Sequence, residues 1–252
     1  MLAASNSASA QNIDSAYIYN NYKPAAEKII KAARADSASW ERLAYMCDTF
    51  GPRFSGTDNL NNAIEWGFEE MKKDGFVNVR KDPVMVPHWL RREEYCLLLK
   101  PREDKVPMMA LGGSIGTPAE GITAPVFVVN SFDELKESAD KVKGKILVYN
   151  MPFESYGQAV KYRFYGAIEA ARAGAVASLI RSVSPYSFRQ PHTGMMIYSD
   201  TVPKIPHAAI PQEDAAMLDR MHGRGQDPVI KLYMEADTLP DALSYNLMGE
   251  IR

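Results

Sequence analysis

The chain has 252 residues, a formal net charge of −2, 46% hydrophobic residues and 24% charged residues. These are ordinary values for a globular protein, and the length suits two modest domains, each with a buried core. The near-neutral charge gives no electrostatic basis for a nucleic-acid partner, and no apolar stretch reaches the roughly 20 residues that span a bilayer.

Residues 1–11 are small and polar, and Ala8-Ser9-Ala10 has the A-x-A form of a signal-peptidase site. No basic region or apolar core precedes this tripeptide, as an intact export signal would require. Residues 1–21 are therefore predicted to be a remnant of a clipped signal peptide or a disordered tail, and the A-x-A form favours the remnant.

Three helices are predicted next. Pro24 suits a first helical position, and apolar residues follow it at helical spacing. A second helix is expected from Ser37 to Gly51-Pro52, and a third from Thr57-Asp58 to Gly75.

The two cysteines are expected to be buried free thiols. Cys47 lies on the apolar stripe of the second predicted helix, and Cys96 lies in a strand-like run. Their spacing suggests no disulfide framework and no zinc-finger motif.

Extended segments are predicted at 76–79, 84–86 and 95–99, followed by a charged connector at 101–105. From about residue 106 the composition becomes rich in β-forming residues and glycine. This change predicts a domain boundary near residue 104.

A strand-helix-strand unit is predicted in the middle of the chain. Ser131 to Glu134 is a capping box that opens a short helix. Ile146–Tyr149 is a wholly apolar strand, Ala159–Ala173 a helix and Val176–Ile180 the next strand. This order predicts a right-handed crossover and a parallel pair of strands.

The last part of the chain contains a long proline-rich segment, Val183–His207, that is predicted to be a loop. A helix over Glu213–His222 follows, and then two strands, Val229–Glu235 and Tyr245–Ile251. Long ordered loops often carry function.

Several short strings occur in a fixed order along almost the whole chain. They are Asp48–Gly56, Val86–Trp89, Gly113–Pro118, Gly121–Ala124, Ser178–Ser182, Pro191–Gly194 and Val202–Pro206. Together they resemble the N-terminal half of the carboxypeptidase Q-like family, secreted zinc exopeptidases of the aminopeptidase/transferrin-receptor group. The run from Gly144 to Arg181 resembles the middle of a protease-associated domain.

The resemblance implies a mixed α/β fold in which a β-rich protease-associated domain is inserted into the start of an α/β zinc-exopeptidase domain. Residues 22–104 would be the first helices and strands of the peptidase domain. Residues 105–236 would be the protease-associated domain, and residues 237–252 the strand that returns to the peptidase sheet.

The resemblance also implies two zinc ions in the intact family protein, with a first ligand in an H-x-D motif. The four histidines here, His88, His192, His207 and His222, occur in no such motif, and the chain has no H-E-x-x-H. No catalytic residue and no metal ligand is therefore assigned to this chain. It is expected to bind no catalytic zinc, to hydrolyse no dipeptide alone, and to need a missing C-terminal catalytic half as its partner.

The candidate functional residues are His192, Thr193 and Gly194, together with Ser187, all in the long loop. We expect this loop to lean over the partner domain's cleft and to gate substrates. The alternative is a surface loop held by its own hydrogen bonds.

Other candidate sites carry less weight. His88-Trp89 is expected to pack at a domain junction rather than to line a pocket. Gly112–Gly116 matches no phosphate-binding motif, and neither Ser55 nor Ser187 lies in G-x-S-x-G.

The expected function is therefore the substrate-gating and supporting portion of a secreted or periplasmic zinc exopeptidase that hydrolyses small peptides. The alternative is a free-standing, non-catalytic protease-associated module that binds peptides or proteins. The sequence predicts no membrane span and leaves a homodimer open.

Overall fold

The computed structural model describes residues 15–186 and 188–252. The described residues up to Pro52 form one compact unit, and Arg53–Arg252 form a second. The first unit consists of two helices, α1 (Ser15–Ala35) and α2 (Ala38–Phe50).

The expected helix start at Pro24 is wrong, because Pro24 lies inside α1. A proline within a helix removes one backbone donor. In the turn before it, the side-chain amide of Asn21 donates to the Tyr17 carbonyl at 2.8 Å. The segment predicted as a tail therefore overlaps α1 from Ser15, and residues 1–14, including Ala8-Ser9-Ala10, lie outside the described part of the chain.

Both cysteines are free, but only Cys96 is buried. The prediction that Cys47 is buried is wrong, since Cys47 is exposed and no residue of α2 is buried.

The second unit begins with α3 (Asp58–Lys73), as the sequence predicts. Thr57 caps this helix, because its hydroxyl accepts from the Leu60 amide at 3.4 Å. The helix packs on a long pair of antiparallel strands, where Lys81 Nζ lies 2.6 Å from Glu65 Oε1.

The long strands β1 (Val77–Lys100) and β8 (Val229–Glu250) pair antiparallel although they lie far apart in the chain, and β2 (Asp104–Val106) pairs with β1. The predicted division of each long strand into short ones is wrong. Register shifts at Val86/His88 and Arg91/Glu94 show that β-bulges interrupt the alternation of apolar and polar residues. The alternation of apolar and polar residues is therefore interrupted at positions where the strand itself continues.

The remaining strands are β3 (Met109–Ala110), β4 (Ile122–Val129), β5 (Ile146–Tyr149), β6 (Ala177–Arg181) and β7 (His207–Ile210). One mixed sheet has the strand order β2-β1-β8-β4-β5-β6-β7-β3. Strands β4 to β7 run parallel to one another, which confirms the predicted parallel pair.

Helices cover both faces of the parallel strands. They are α4 (Phe132–Glu137), α5 (Ala139–Val142), α6 (Tyr156–Arg172) and α7 (Gln212–Gly223). Leu218 of α7 packs in one buried cluster with Val148, and Tyr162 and Ala167 of α6 pack in the other with Tyr149. Covering both faces explains why β5 reads as wholly apolar and is wholly buried.

Two capping sites at helix starts are well defined, and the one at Ser131 was predicted. The Ser131 hydroxyl accepts from the Glu134 amide at 3.0 Å, and the Glu134 carboxylate accepts from the Asn130 amide at 2.6 Å. Helix α6 begins earlier than predicted because Ser155 caps it, accepting from the Gln158 amide at 3.4 Å.

The described residues of 183–206 lie outside the helices and strands, apart from an isolated bridge between Gly112 and Met195. The prediction of a long loop is therefore confirmed. The predicted domain boundary at 104/105 falls within β2 and the one at 236/237 falls within β8, and both stay predictions. Among the described residues, no helix has both the length and the apolar character that a bilayer crossing needs.

Candidate functional site

A cavity of about 360 Å³ lies where three segments of the second unit meet. One is the middle of the paired strands β1 and β8, around Trp89 and Leu239. The others are the turn at Gly112-Gly113 and the part of the long loop from Thr193 to Met196. The cavity is therefore bounded by the sheet on one side and by the long loop on another.

The sheet side of the cavity is aromatic. The rings of Phe54 and Trp89 meet edge to face with their centroids 5.6 Å apart. Trp89 is only 9% exposed, and its indole N–H donates to the carbonyl of Ser114 at 2.8 Å. The packing and the hydrogen bond together fix the orientation of the indole.

His88 also lines the cavity. The backbone of Gly56, which has φ +79°, passes so close that an added Cβ would lie 2.7 Å from the His88 ring. Only glycine combines this positive φ with this close approach. The position of the His88 ring therefore depends on Gly56.

The loop side of the cavity is held mainly by hydrogen bonds to the backbone. The Thr193 hydroxyl donates to the Ala110 carbonyl at 2.8 Å. The Gly112 amide donates to the Gly194 carbonyl at 2.8 Å, and the Met196 amide donates to the Gly112 carbonyl at 3.0 Å. The loop is thus attached at both sides of Gly194.

Arg163 of α6 packs against Gly194. A Cβ added to Gly194 would lie 2.6 Å from the guanidinium carbon. The Arg163 side chain is buried and its Nη2 donates to the Tyr156 hydroxyl at 2.7 Å, while its Nε has no hydrogen-bond partner. Glycine at position 194 lets the loop lie directly on this cation.

A buried polar network lies next to the sheet side. Ser114 is fully buried, and its hydroxyl accepts from the His207 amide at 2.9 Å. The His207 Nδ1 lies 2.7 Å from the Ser178 hydroxyl and its Nε2 lies 3.3 Å from the Tyr162 carbonyl. Burial lowers the pKa of His207 from 6.5 to about 4, so the imidazole is neutral at pH 7.

Glu94 connects β1 to the segment that anchors the loop. Its carboxylate accepts from the Ala110 amide at 2.9 Å, and its Oε1 lies 3.5 Å from the Nε of Arg91. Burial raises the pKa of Glu94, and the Ala110 amide and the charge of Arg91 oppose this rise. The Ala110 amide therefore donates to Glu94 of the sheet, and the Ala110 carbonyl accepts from Thr193 of the loop.

Of the residues predicted to gate substrate, Thr193 and Gly194 line the cavity. The His192 side chain is exposed, and its amide donates to the Ser182 hydroxyl at 2.8 Å. Ser187 lies outside the described residues. The structure thus brings two of the predicted residues to one cavity, and the gating role of all four stays a prediction.

Most of the apolar lining of the cavity, including Phe54, Met195 and Leu239, was not predicted from the sequence. The expectation that His88-Trp89 does not line a pocket is wrong, because both residues line the cavity. Trp89 also packs in the core, and its place at a domain junction stays a prediction. Phe54 lies in one of the strings that carry the family resemblance, and Met195 and Leu239 lie in none. Nothing in these separate segments indicates that their side chains meet at a cavity.

The carboxyl ends of the parallel strands form a second, polar region. Asn150 accepts from Arg181 Nη1 at 3.2 Å and donates to Asp219 at 3.0 Å. A cavity of about 390 Å³ there is lined by Arg181 and Arg220 but also by Glu213. Charges of both signs line it, so it favours neither an anion nor a cation.

Within residues 15–186 and 188–252, no group of three or more His, Cys, Asp or Glu side chains is placed to hold a metal ion. These residues therefore do not fit a zinc site, and we derive no catalytic step through zinc in this chain.

Comparison with known proteins gives close sequence relatives. The chain is 52% identical to "Carboxypeptidase Q" of Xenopus laevis over 235 residues, which are 92% of this chain and 50% of that protein. It is 51% identical to "Carboxypeptidase Q" of Homo sapiens over 86% of this chain and 46% of that protein. The chain thus spans about half the length of the curated relatives it matches. No protein-family model matches it.

Solved structures show the same fold. A peptidase M28 precursor from Shewanella amazonensis superposes with a TM-score of 0.84 and 32% identity, covering 90% of this chain and 53% of that one. A zinc aminopeptidase from Bacillus subtilis superposes with a TM-score of 0.58 at 22% identity, which shows the fold alone. The predicted mixed α/β fold is confirmed.

Proposed function

Because the chain is homologous to carboxypeptidase Q over 92% of its length, we propose that it forms the substrate-gating and supporting part of a zinc-dependent exopeptidase that hydrolyses small peptides. The observation that carries the proposal is the attachment of the loop around Gly194 to the wall of the cavity. A wall fixed by backbone hydrogen bonds can select the groups that enter beside it.

We place the peptidase segment at residues 22–104, the protease-associated domain at 105–236 and the returning strand at 237–252. The metal ligands and the catalytic base would then lie in the part of the relatives' length that this chain does not span. When bound, zinc would supply an activated water for attack on the peptide bond.

The test of gating uses the full-length protein that contains this chain. We expect His192→Ala to lower kcat/KM for dipeptides about tenfold, because His192 directly precedes Thr193, which lines the cavity. Asp200→Ala is the matched control, since Asp200 is exposed in the same loop. Unchanged kcat/KM in the His192 variant would contradict the gating role of this residue.

The alternative, a free-standing binding module, is not favoured by the peptidase relatives. The two proposals differ in what the 252-residue chain needs. We expect the purified chain to bind no stoichiometric zinc and to hydrolyse no dipeptide until the remaining half is supplied. Metal analysis and a dipeptide assay, each with and without that half, distinguish them.

Secretion or a periplasmic location belongs to the same proposal, as does a homodimer. Fractionation of cells that express the full-length protein tests the location. Light scattering of the purified protein tests the oligomeric state.

A further inference from the structure

The cavity beside Gly194 is large enough for more than a solvent molecule. Its volume of about 360 Å³ falls in the range of small-molecule sites, about 300 to 1,000 Å³. An apolar cavity of about 150 Å³ already accommodates benzene. We propose that this cavity binds the bulky apolar side chain, leucine or phenylalanine, of a small peptide. The inference rests on the proposed function and names the class of substrate that the gate admits.

The lining selects an apolar occupant. Phe54 and Trp89 present two aromatic rings at an angle of 75°, and Leu239 and Met195 contribute flexible aliphatic groups. Methionine adapts its shape to different apolar partners, so both leucine and phenylalanine would fit. A serine side chain would bury far less apolar surface there, and an aspartate side chain would lose its hydration beside a largely apolar lining.

A few polar groups lie among the apolar ones. His88, Thr193 and Asp241 all line the cavity, and Asp241 is exposed. The Thr193 hydroxyl proton is directed to the Ala110 carbonyl, so the Thr193 oxygen is left as an acceptor. The Asp241 carboxylate attracts the ammonium group of a free peptide and repels an acidic side chain. Charge complementarity therefore also favours a small peptide with an apolar side chain.

The walls exist before the ligand arrives. The Trp89 indole is bonded to Ser114, and the loop is bonded to the Gly112 turn on both sides of Gly194. Binding would then order few additional groups, so most of the burial of the ligand's apolar surface would contribute to affinity.

The test measures direct binding to the 252-residue chain by calorimetry. The probes are the dipeptides Phe-Gly and Ser-Gly, which share the main chain and the ammonium group. We expect Phe-Gly to bind at least about tenfold more tightly, as burial of a large apolar side chain predicts. In a Trp40→Phe, Trp66→Phe background, the fluorescence of Trp89 should change with Phe-Gly at the same concentrations.

Matched variants locate the binding. We expect Leu239→Gln to weaken Phe-Gly binding at least about tenfold and to leave Ser-Gly unchanged. Leu243→Gln is the control, because Leu243 lies on the same strand, is 50% exposed and does not line the cavity. Met195→Gln is a second cavity variant at a residue 66% exposed, and it answers the same question if Leu239→Gln unfolds.

Equal affinity for the two dipeptides, or equal losses in the Leu239 and Leu243 variants, would overturn the inference. The result is independent of the kinetic test of His192. Selective binding with no kinetic effect of His192→Ala would support the cavity and contradict gating by His192. A kinetic effect of His192→Ala without selective binding of Phe-Gly would support gating by His192 and contradict binding in the cavity.

Discussion

The two sides of the cavity are built in different ways. On the sheet side, Trp89 is a core residue whose packing stabilises the second unit as a whole. On the loop side, Thr193 and Gly194 are attached by backbone hydrogen bonds and by contact with Arg163. One side of the cavity is therefore part of the core, whereas the other side is attached by a few contacts, so changes on the loop side should cost less stability.

The largest effect is expected on the sheet side. Trp89→Ala should lower the free energy of unfolding by about 3 to 5 kcal/mol, because it removes a large ring from the core and leaves a cavity behind. Denaturant unfolding measures the loss. Trp89→Phe is the control, since it retains a ring against Phe54 and loses only the hydrogen bond to Ser114. A loss below about 1 kcal/mol for the alanine variant would show that the two sides do not differ in this way.

A pH effect of intermediate size also belongs to the sheet side. The pKa of His207 is lowered to about 4 in the folded state, so the unfolded chain binds more protons between pH 4 and 6.5. The free energy of unfolding should therefore fall as the pH drops through this window, by up to about 3 kcal/mol from this residue.

His207→Gln should remove this contribution, and the test is the difference between the two pH profiles of unfolding. The difference cancels the contributions of carboxyl groups such as Glu94, which titrate in both proteins. Parallel profiles would show that His207 has the same proton affinity in the folded and unfolded states.

The smallest stability effect is expected on the loop side. Gly194→Ala should cost about 1 to 2 kcal/mol, because the new methyl group forces the Arg163 guanidinium to move. Gly112→Ala is the matched control, since its Cβ would lie 3.5 Å from its nearest neighbour, an ordinary contact. Gly194→Ala should also weaken Phe-Gly binding more than Gly112→Ala does. Equal behaviour of the two variants would remove the special role of Gly194.

Local sequence signals predicted the regular elements well where a local cause fixes them. The capping box at Ser131 predicts a helix start, and the apolar run Ile146–Tyr149 predicts a buried strand, each from a few neighbouring residues. The predicted helix start at Pro24 was wrong because Pro24 lies inside α1. The predicted short strands along β1 were wrong because bulges interrupt the residue pattern of one long strand. The helix continues through the proline, and the strand continues through the bulges, although a local pattern of either kind suggests the end of an element.

The candidate site was predicted only in part. Thr193 and Gly194 were found because a long proline-rich loop is a distinctive sequence feature, whereas no local feature of Phe54 or Leu239 indicates a cavity. Phe54 and Leu239 are far apart in the chain, and pairing of β8 with β1 brings Leu239 opposite His88. Such a meeting depends on strand register, which no local pattern reports.

The amino-acid sequence by itself determined the mixed α/β class, the parallel strand pair and the likeness to a family of zinc exopeptidases. These follow from periodicity, caps and short strings that each lie within a single segment. Only the tertiary structure decided that Trp89, Gly112 and Gly194 enclose one cavity, and that His207 is buried and neutral. Enclosure and burial depend on contacts between segments distant in the chain, and it is those contacts that set the shape of a cavity and the pKa of a buried imidazole.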